Sequence, residues 1–207
     1  MSTEIEFKWN ANVPRAFFKM QRAVIASGAK IFPAQHWQIV DVYLDTSTHD
    51  FEKQQIAFRV RRINQQWEAT FKTRTEIVKG KAVRREETLP LNGVKNLPQA
   101  LQFLHDKKRW KGLFLENLQP LFVLKNRRKT HALMLRNMCA ELAFDTCEID
   151  VCGRRVFFKE IELELKKGPA VIFEKLAEQL TRASELNRAQ ISKVKTALML
   201  RKMWSEK

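Results

Sequence analysis

The sequence predicts an α+β fold in which strands with one charged and one apolar face lie beneath helices. The first observation is segment 3–9, TEIEFKW, where charged side chains alternate with large apolar ones. The second is segment 160–165, EIELEL, which repeats this alternation near the other end of the chain. Successive side chains of a strand point to opposite faces, so each segment predicts a two-faced strand. The third is a set of four segments with helical spacing, which can cover the apolar faces.

Size and composition predict one globular domain that spans residues 1–207. The chain has 207 residues, of which 44% are hydrophobic and 29% are charged, and these values are typical of a folded domain. The start of the chain does not resemble a signal peptide, and no apolar run approaches the ~20 residues that span a bilayer. Cys139, Cys147 and Cys152 form neither an even set nor a CxxC pair. We therefore expect free thiols and a cytoplasmic protein.

The formal net charge of +15 requires an explanation. A well-solvated surface is one explanation, and attraction to polyanionic substrates or nucleic acid is another. Two short basic clusters stand out, at residues 107–111 and 125–129. We expect the first to be the solvated end of a helix, where cations are favourable.

Turn and cap residues divide the chain into elements. Pro14 and Gly28 bracket a first helix, Asn64 lies in a tight turn between two strands, and Gly153 precedes the Glu-rich strand. In the first half of the chain, we predict a helix over 14–26, a strand over 36–44, two strands within 56–74, a polar link over 79–81 and a strand over 82–91. In the second half, we predict a helix over 98–109, two strands over 120–144 that turn near 136–137, and the Glu-rich strand to 167. Two further helices follow, one over 169–181 and one from 192.

The middle strands also carry charge on one side. Arg59 and Arg61 share one face of their strand, and Lys72 and Arg74 share one face of the next. In a sandwich of two sheets, the apolar faces would meet and these charges would face water. In a closed barrel with its apolar side outward beneath helices, the charges would line an internal channel.

The charged rows indicate a site for a metal-chelated polyphosphate. Glu160, Glu162 and Glu164 on one strand face repel one another unless cations lie between them. Carboxylates bind hard cations such as Mg²⁺ or Mn²⁺, which prefer one or two carboxylates plus phosphate oxygens. Arg and Lys side chains directed into the same space would take the remaining phosphate oxygens.

The ordered set of charged residues resembles the CYTH, or triphosphate tunnel metalloenzyme, superfamily. Its opening Glu-x-Glu-x-Lys motif is matched by Glu4, Glu6 and Lys8. The resemblance then covers nearly the whole chain, through Tyr43-Leu44-Asp45-Thr46, Arg59-Val60-Arg61, Thr70-Phe71-Lys72, Arg84-Arg85-Glu86, Asp145, Glu160-Ile161-Glu162 and Ser192-Lys193.

The resemblance implies an eight-stranded antiparallel closed β-barrel, a tunnel with a charged interior flanked by helices. It implies metal-directed roles for Glu4, Glu6, Glu160 and Glu162, with Asp145 near a second ion that orients the attacking water. The residues that it implies hold the triphosphate are Lys8, Arg59, Arg61, Lys72, Arg84, Arg128 and Lys193, with Glu86 among them. The catalytic subset is Glu4, Glu6, Lys8, Lys72 and Asp145. Arg127 competes with Arg128 for the inward position.

This set is balanced in charge for its implied ligand. Seven basic and six acidic residues give the tunnel a net charge of +1, so the other +14 lies elsewhere. Two divalent ions would raise the tunnel to about +5, close to the roughly −4 to −5 of a triphosphate near neutral pH.

We therefore expect an enzyme, a phosphoric anhydride hydrolase that uses Mg²⁺ or Mn²⁺ to hydrolyse a linear triphosphate, with inorganic triphosphate as the first candidate. Alternatives with the same fold are an adenylate cyclase of the class IV type and a thiamine-triphosphate hydrolase. A non-catalytic polyphosphate- or RNA-binding module is an alternative of another class, motivated by the net charge. We expect no membrane partner, and we do not expect nucleic acid as the main partner.

Overall fold

The computed structural model of the protein describes residues 2–73, 76–78 and 81–205. The strands in this part of the chain are β1 (Ser2–Asn10), β2 (Lys30–Ile31), β3 (Gln35–Asp45), β4 (Ala57–Ile63), β5 (Gln66–Lys72), β6 (Glu76–Val78), β7 (Lys81–Pro90), β8 (Arg109–Trp110), β9 (Leu113–Phe114), β10 (Gln119–Leu135), β11 (Met138–Val151) and β12 (Arg154–Lys167). The helices are α1 (Ala16–Ala26), α2 (Asp50–Lys53), α3 (Leu97–Lys107), α4 (Ala170–Ser184) and α5 (Lys193–Ser205).

Antiparallel pairing joins eight of these strands in a ring. Their order is β1-β12-β11-β10-β3-β4-β5-β7. Residues 2–7 of β1 pair with β7, and residues 6–10 pair with β12, so β1 has a partner on each side. The short strands β2 and β6 add to β10 and β7, while β8 and β9 form a separate hairpin. The predicted α+β architecture, a curled antiparallel sheet with flanking helices, is confirmed.

Helices cover the outer face of the sheet in two places. α1 and α4 pack on β1, β11 and β12, around Trp9 and Phe173. α3 packs on β3, β4 and β5, around Phe58 and Leu104. These four side chains are at most 1% exposed. Burial of apolar area, worth roughly 25 cal/mol per Å², is what holds each helix to the sheet.

α5 lies across one end of the inner face. A third apolar cluster combines inward-facing side chains of β3, β10 and β11 with Ala197 of α5, which is fully buried. Tyr43, Leu124 and Ile149 belong to this cluster. The first residue of the helix, Lys193, lines the cavity that the sheet encloses. The apolar packing of α5 therefore fixes the position of a charged side chain inside the sheet.

The long predicted elements are present, and the short ones were missed. β11 continues to Val151, beyond its predicted end at 144, because β10 and β12 pair with it on both sides over that length. α2, β2, β6, β8 and β9 have only two to four residues, too few for any hydrophobic period to show. Arg74 and the predicted link at 79–80 lie outside the described residues.

Cys139 and Cys147 are free thiols, as predicted. None of the helices in the described ranges is long and apolar enough to cross a membrane.

Candidate active site

Strand register brings opposite charges together on the inner face of the sheet. Lys8 is directly opposite Glu162, and Asp145 is directly opposite both Arg128 and Glu160. Directly opposite residues on antiparallel strands have Cβ atoms about 5 Å apart, within reach of an ion pair. The inner face encloses a cavity of about 670 Å³. The predicted site residues that line it are Glu4, Glu6, Lys8, Arg59, Arg61, Lys72, Glu86, Arg128, Glu162 and Lys193.

Three predicted carboxylates form a buried group that reaches this cavity through Glu162, whereas Asp145 and Glu160 are not among the described residues that line it. One oxygen from each of Asp145, Glu160 and Glu162 lies within 4.8 Å of the other two. All three residues are buried, with exposed fractions of 0% for Asp145, 5% for Glu160 and 8% for Glu162. Three carboxylates this close repel one another, so the group depends on nearby cations. We call it the carboxylate trio.

Lys193 occupies the space between the three carboxylates. Its Nζ lies 2.9 Å from Asp145 Oδ2 and 2.6 Å from Glu162 Oε1, and it also contacts Glu160. Lys8 approaches from β1, with its Nζ 2.5 Å from Glu162 Oε1. Two lysines on separate elements therefore neutralise part of the charge of the trio.

Arg128, and not Arg127, is the inward residue of its pair. Its Nε and Nη2 donate to Asp145 Oδ1 and Oδ2 at 2.7 and 2.6 Å, and Nη2 also contacts Glu162. Arg127 is exposed. Strand alternation places only one of two consecutive residues on the inner face, and the register with Asp145 selects Arg128.

A second basic group lies on β4 and is held by a buried carboxylate of β3. Arg61 donates from Nε to Asp41 Oδ1 at 2.6 Å and from Nη2 to Oδ2 at 2.9 Å. Nη1 of Arg59 lies 3.7 Å from Asp41 Oδ2 and 3.5 Å from the Tyr43 hydroxyl. Asp41 therefore orients two guanidinium groups that line the cavity.

A third group contains Lys72 and two glutamates. Lys72 Nζ lies 2.6 Å from Glu86 Oε2 and 3.1 Å from Glu4 Oε2. Glu6 lies beside Lys8, at 3.2 Å from its Nζ. The structure thus places the two glutamates of the opening motif next to lysines and not within the carboxylate trio. Arg84 is opposite Glu4 in register, but its side chain lies outside the described residues.

The ion pairs determine the charge states of these buried groups. Burial acts to raise the pKa of Glu162, but Lys193, Lys8 and Arg128 outweigh it and hold that pKa well below its ordinary value. Burial dominates at Glu160, whose pKa is raised. Burial acts to lower the pKa of Lys193, and the carboxylate trio outweighs it and raises that pKa well above the ordinary value. At least part of the trio is therefore anionic at neutral pH.

The cavity lining is less basic than the sequence count predicted. Among the lining residues that the structure describes, seven are basic and eight are acidic, whereas the predicted tunnel charge was +1. Compared with the predicted set, the lining gains Lys166 and the four acidic residues Asp41, Glu87, Glu141 and Glu164. Asp145 and Glu160 are not among its described residues, and the side chain of Arg84 lies outside the described part of the chain. A cavity lined by no more basic than acidic residues attracts a polyanion only when bound cations accompany that polyanion.

Sequence reasoning gave no role to Asp41 and also missed two uncharged residues of the cavity wall, Asn126 and Trp37. The strand over 36–44 was predicted from its apolar residues alone, so Asp41 was not singled out, although it shares a strand face with Ile39. Asn126 lines the cavity at 5% exposure, and its carboxamide oxygen has no hydrogen-bond partner within the described residues. Trp37 lines the cavity and donates from Nε1 to Thr130 Oγ1 at 3.1 Å. The alternation of β3 and β10 was the available signal for all three.

The donor set of the carboxylate trio fits a hard divalent cation. Its ligand atoms are all carboxylate oxygens, which Mg²⁺ and Mn²⁺ prefer. The ammonium of Lys193 already occupies the space between them, which demonstrates that this position stabilises a positive charge.

A second acidic group, near α2, has a structural explanation. Asp45, His49 and Glu52 also have ligand atoms within 4.8 Å of one another. However, the Asp45 carboxylate accepts hydrogen bonds from the backbone N–H groups of Thr46, Phe51 and Glu52, at 2.7, 2.9 and 3.0 Å. It therefore holds the turn that leads into α2.

Comparison with known families gives one match across nearly the whole chain. The model of the CYTH domain matches residues 2–198. No curated protein matches the sequence.

Solved structures share the fold at low sequence identity. HpAC1 from Hippeastrum, assigned as an adenylyl cyclase and described as having a dominant triphosphatase activity, is 15% identical with a TM-score of 0.66, covering 95% of each chain. PH1819 from Pyrococcus horikoshii OT3 is 20% identical with a TM-score of 0.59, covering 96% of this chain and 99% of the other. The RNA triphosphatase domain of the mimivirus mRNA capping enzyme is 12% identical with a TM-score of 0.53, covering 88% of this chain and 89% of the other.

Proposed function

Because the chain belongs to the CYTH domain family, we propose that it is a metal-dependent triphosphatase that hydrolyses a linear triphosphate inside the cavity. One observation carries this proposal: basic side chains from several strands line one cavity of about 670 Å³, together with Glu162 of the buried carboxylate trio. Phosphoryl transfer requires little beyond such positioning and charge stabilisation.

The guanidinium groups of β4 are placed to bind phosphate oxygens. Arg61 and Arg59 line the cavity while Asp41 fixes their orientation from behind. Arginine binds phosphate with two parallel hydrogen bonds, and a fixed guanidinium loses little entropy on binding. These residues would hold one end of the triphosphate and stabilise the charge that develops on its oxygens.

Lys72 and Lys8 would bind other phosphate oxygens. Each is poised between carboxylates, Lys72 between Glu4 and Glu86, and Lys8 beside Glu162. These pairs keep both ammonium groups in the cavity before substrate arrives. Arg128 would hold Asp145 in place through its two hydrogen bonds.

Asp145, Glu160 and Glu162 are the residues that would hold a divalent cation. Mg²⁺ or Mn²⁺ bound there would neutralise phosphate charge and polarise the bond that breaks. The absence of a positive excess in the lining supports this requirement. Lys193 would leave the trio and donate to a phosphate oxygen when the cation binds.

The substrate that we place first is inorganic triphosphate. The activity named for HpAC1 and for the mimivirus domain supports a triphosphatase. The names of these two neighbouring proteins are also compatible with two other reactions, the cyclisation of ATP and the hydrolysis of an organic triphosphate. Trp37 at the cavity wall favours the second of these, because an aromatic ring can stack on an organic group.

One panel tests the proposal. Phosphate release is measured from inorganic triphosphate, ATP and thiamine triphosphate with Mg²⁺ or Mn²⁺, and the ATP reaction is analysed for cyclic AMP by chromatography. We expect metal-dependent phosphate release, abolished by EDTA. Cyclic AMP as the main product would replace the triphosphatase by a cyclase, and no turnover of any substrate would contradict both.

A matched pair of variants links the activity to the cavity. Glu4→Gln should abolish turnover with the fold intact, because Lys72 loses a charged partner that holds it in the cavity. The control is Glu185→Gln, whose side chain is 77% exposed on the surface. Undiminished phosphate release by the Glu4 variant would refute the assignment of the site.

A further inference from the structure

The cavity does not account for the charge of the molecule. The formal net charge is +15, whereas the described cavity lining has no positive excess. The excess therefore lies on the outer surface. Part of it is concentrated on the outer face of β10, between the two regions of the sheet that the helices cover.

Three consecutive outward positions of β10 are basic. Lys125, Arg127 and Lys129 alternate with the cavity-lining residues Asn126 and Arg128, so the three point away from the cavity. Residues two apart on a strand are about 7 Å apart. Their side chains form a line of three cations along the strand.

The line continues across neighbouring strands in two directions. Lys125 is opposite Val40, which is opposite Arg62 on β4. In the other direction, Arg127 is opposite Thr146, which is opposite Lys159 on β12. Strands lie about 4.8 Å apart, so the path from β4 to β12 is about 19 Å long. We call this surface the basic strip, and it consists of Arg62, Lys125, Arg127, Lys129 and Lys159.

Few carboxylates neutralise the strip. Lys125 Nζ lies 3.1 Å from Glu148 Oε1. Arg127 and Lys129 have no ion-pair partner in the part of the chain that the structure describes. Arg127, Lys125 and Lys159 are exposed. Such a surface attracts a polyanion, and the attraction needs no rearrangement of the protein.

Aromatic side chains lie at both ends of the strip. At one end, the guanidinium carbon of Arg62 lies 6.0 Å from the ring centroid of Trp67. At the other end, Phe157 is opposite Glu148 in register and is 68% exposed. Basic side chains interleaved with aromatic rings are the combination by which proteins bind single strands, since bases stack on the rings.

We propose that the basic strip binds a single-stranded nucleic acid, with phosphates on the strip and bases against Trp67 and Phe157. The strip lies on the face opposite to the cavity, so the inference does not depend on the proposed function. Linear polyphosphate shares the phosphate chemistry but has no bases, and the experiment separates the two.

Fluorescence anisotropy with labelled 20-nucleotide single-stranded RNA and DNA, at 50 to 200 mM salt, tests the proposal. Five phosphate contacts give a slope of log K against log salt of about −3.5. The variant K125Q/R127Q/K129Q should bind at least tenfold more weakly at 50 mM salt and reduce the slope by about 2. The control K107Q/K108Q/K111Q makes the same charge change on exposed residues at the end of α3 and in the turn between β8 and β9, and should change binding less than twofold.

A variant that lacks one of the two aromatic rings distinguishes nucleic acid from polyphosphate. Phe157→Ala should weaken RNA binding at least fivefold and leave polyphosphate binding, measured by competition, unchanged. Triphosphatase activity of the K125Q/R127Q/K129Q variant should equal that of the wild type, because no residue of the strip lines the cavity. Equal losses in the strip and control variants, or no RNA binding at 50 mM salt, would overturn the proposal. Binding of polyphosphate but not RNA would overturn it as well.

Discussion

Asp41 orients the arginines of β4 and has an unusual ionisation. It is 1% exposed, and its carboxylate accepts hydrogen bonds from Nε and Nη2 of Arg61. Burial acts to raise its pKa, but Arg61 and Arg59 outweigh it and lower the pKa to about 2. Asp41 therefore stabilises the fold only in its ionised form.

Asp41→Asn should lower the free energy of unfolding by about 2 kcal/mol at pH 6. The folded pKa lies below the unfolded value, so this contribution is full above about pH 4 and is lost as the pH falls through about 2. Urea unfolding from pH 7 to pH 2 should therefore show the difference between wild type and variant shrinking below about pH 4. Asp106→Asn, with a side chain 66% exposed, is the control and should change stability by less than about 0.5 kcal/mol. A difference independent of pH would contradict this account.

Gly168 is required by its backbone conformation and its surroundings. Its φ is 107°, and an added Cβ would lie 2.5 Å from the carbonyl oxygen of Asn137 and 2.8 Å from the Cα of Met138. Gly168→Ala should lower the free energy of unfolding by about 3 kcal/mol. Gly93→Ala, at φ 81° with no atom within 4 Å of the added Cβ, should lower it by only about 1 kcal/mol. Equal losses in thermal or urea unfolding would show that the contacts around Gly168 contribute nothing.

At the scale of the element, the apolar packing of α5 positions a charged residue of the site. Ala197 is buried in the inner apolar cluster, and this packing fixes the start of the helix at the carboxylate trio. Lys193 can reach the trio only while the helix is docked. The helix thus packs against the sheet and also contributes Lys193, which the resemblance implied, to the cavity lining.

Lys193→Met should separate cation binding from turnover. Removing the ammonium should lower kcat/KM for triphosphate at least 100-fold, since a phosphate contact is lost. It should leave Mn²⁺ binding, measured by electron paramagnetic resonance, equal or tighter, because Lys193 no longer competes for the trio. Lys195→Met, on the exposed side of the same helix, should behave as the wild type. Weaker Mn²⁺ binding by the Lys193 variant would contradict the competition.

At the scale of the whole molecule, cation binding and folding are linked. A cation that binds only the native state at 100 times its Kd adds about 2.7 kcal/mol. For a domain of this size, Mn²⁺ should raise the Tm by roughly 5–10 °C, and EDTA should reverse the change.

Two variants of β11 test where the cation binds. Asp145→Asn should remove the Mn²⁺-dependent rise in Tm, because Asp145 belongs to the carboxylate trio. Asp150→Asn changes the same residue type on the same strand, outside the trio, and should retain the rise. A rise of equal size in both variants would locate the stabilising cation elsewhere.

Strand register, and not local sequence alone, decides which charged residues line the cavity. The predicted tunnel charge was counted from the motif residues alone and left out Asp41, Glu87 and Glu141, as well as Glu164 and Lys166 at the end of the Glu-rich strand. These residues join the cavity through strand register, which depends on partners far away in sequence. The described lining has no positive excess, so the excess of basic residues lies outside the cavity, as the sequence count also predicted.

The sequence by itself determined the two-faced strands, the covering helices and the order of charged residues, because alternation and helical spacing are local properties. It left open whether Arg127 or Arg128 faces inward. The resemblance grouped Glu4 and Glu6 with Asp145, Glu160 and Glu162, whereas the structure brings the last three together and places Glu4 and Glu6 next to lysines. Only the tertiary structure decided these points. Ion pairs such as Lys8 with Glu162 join residues 154 positions apart, and pairing between distant strands, not local pattern, sets those distances.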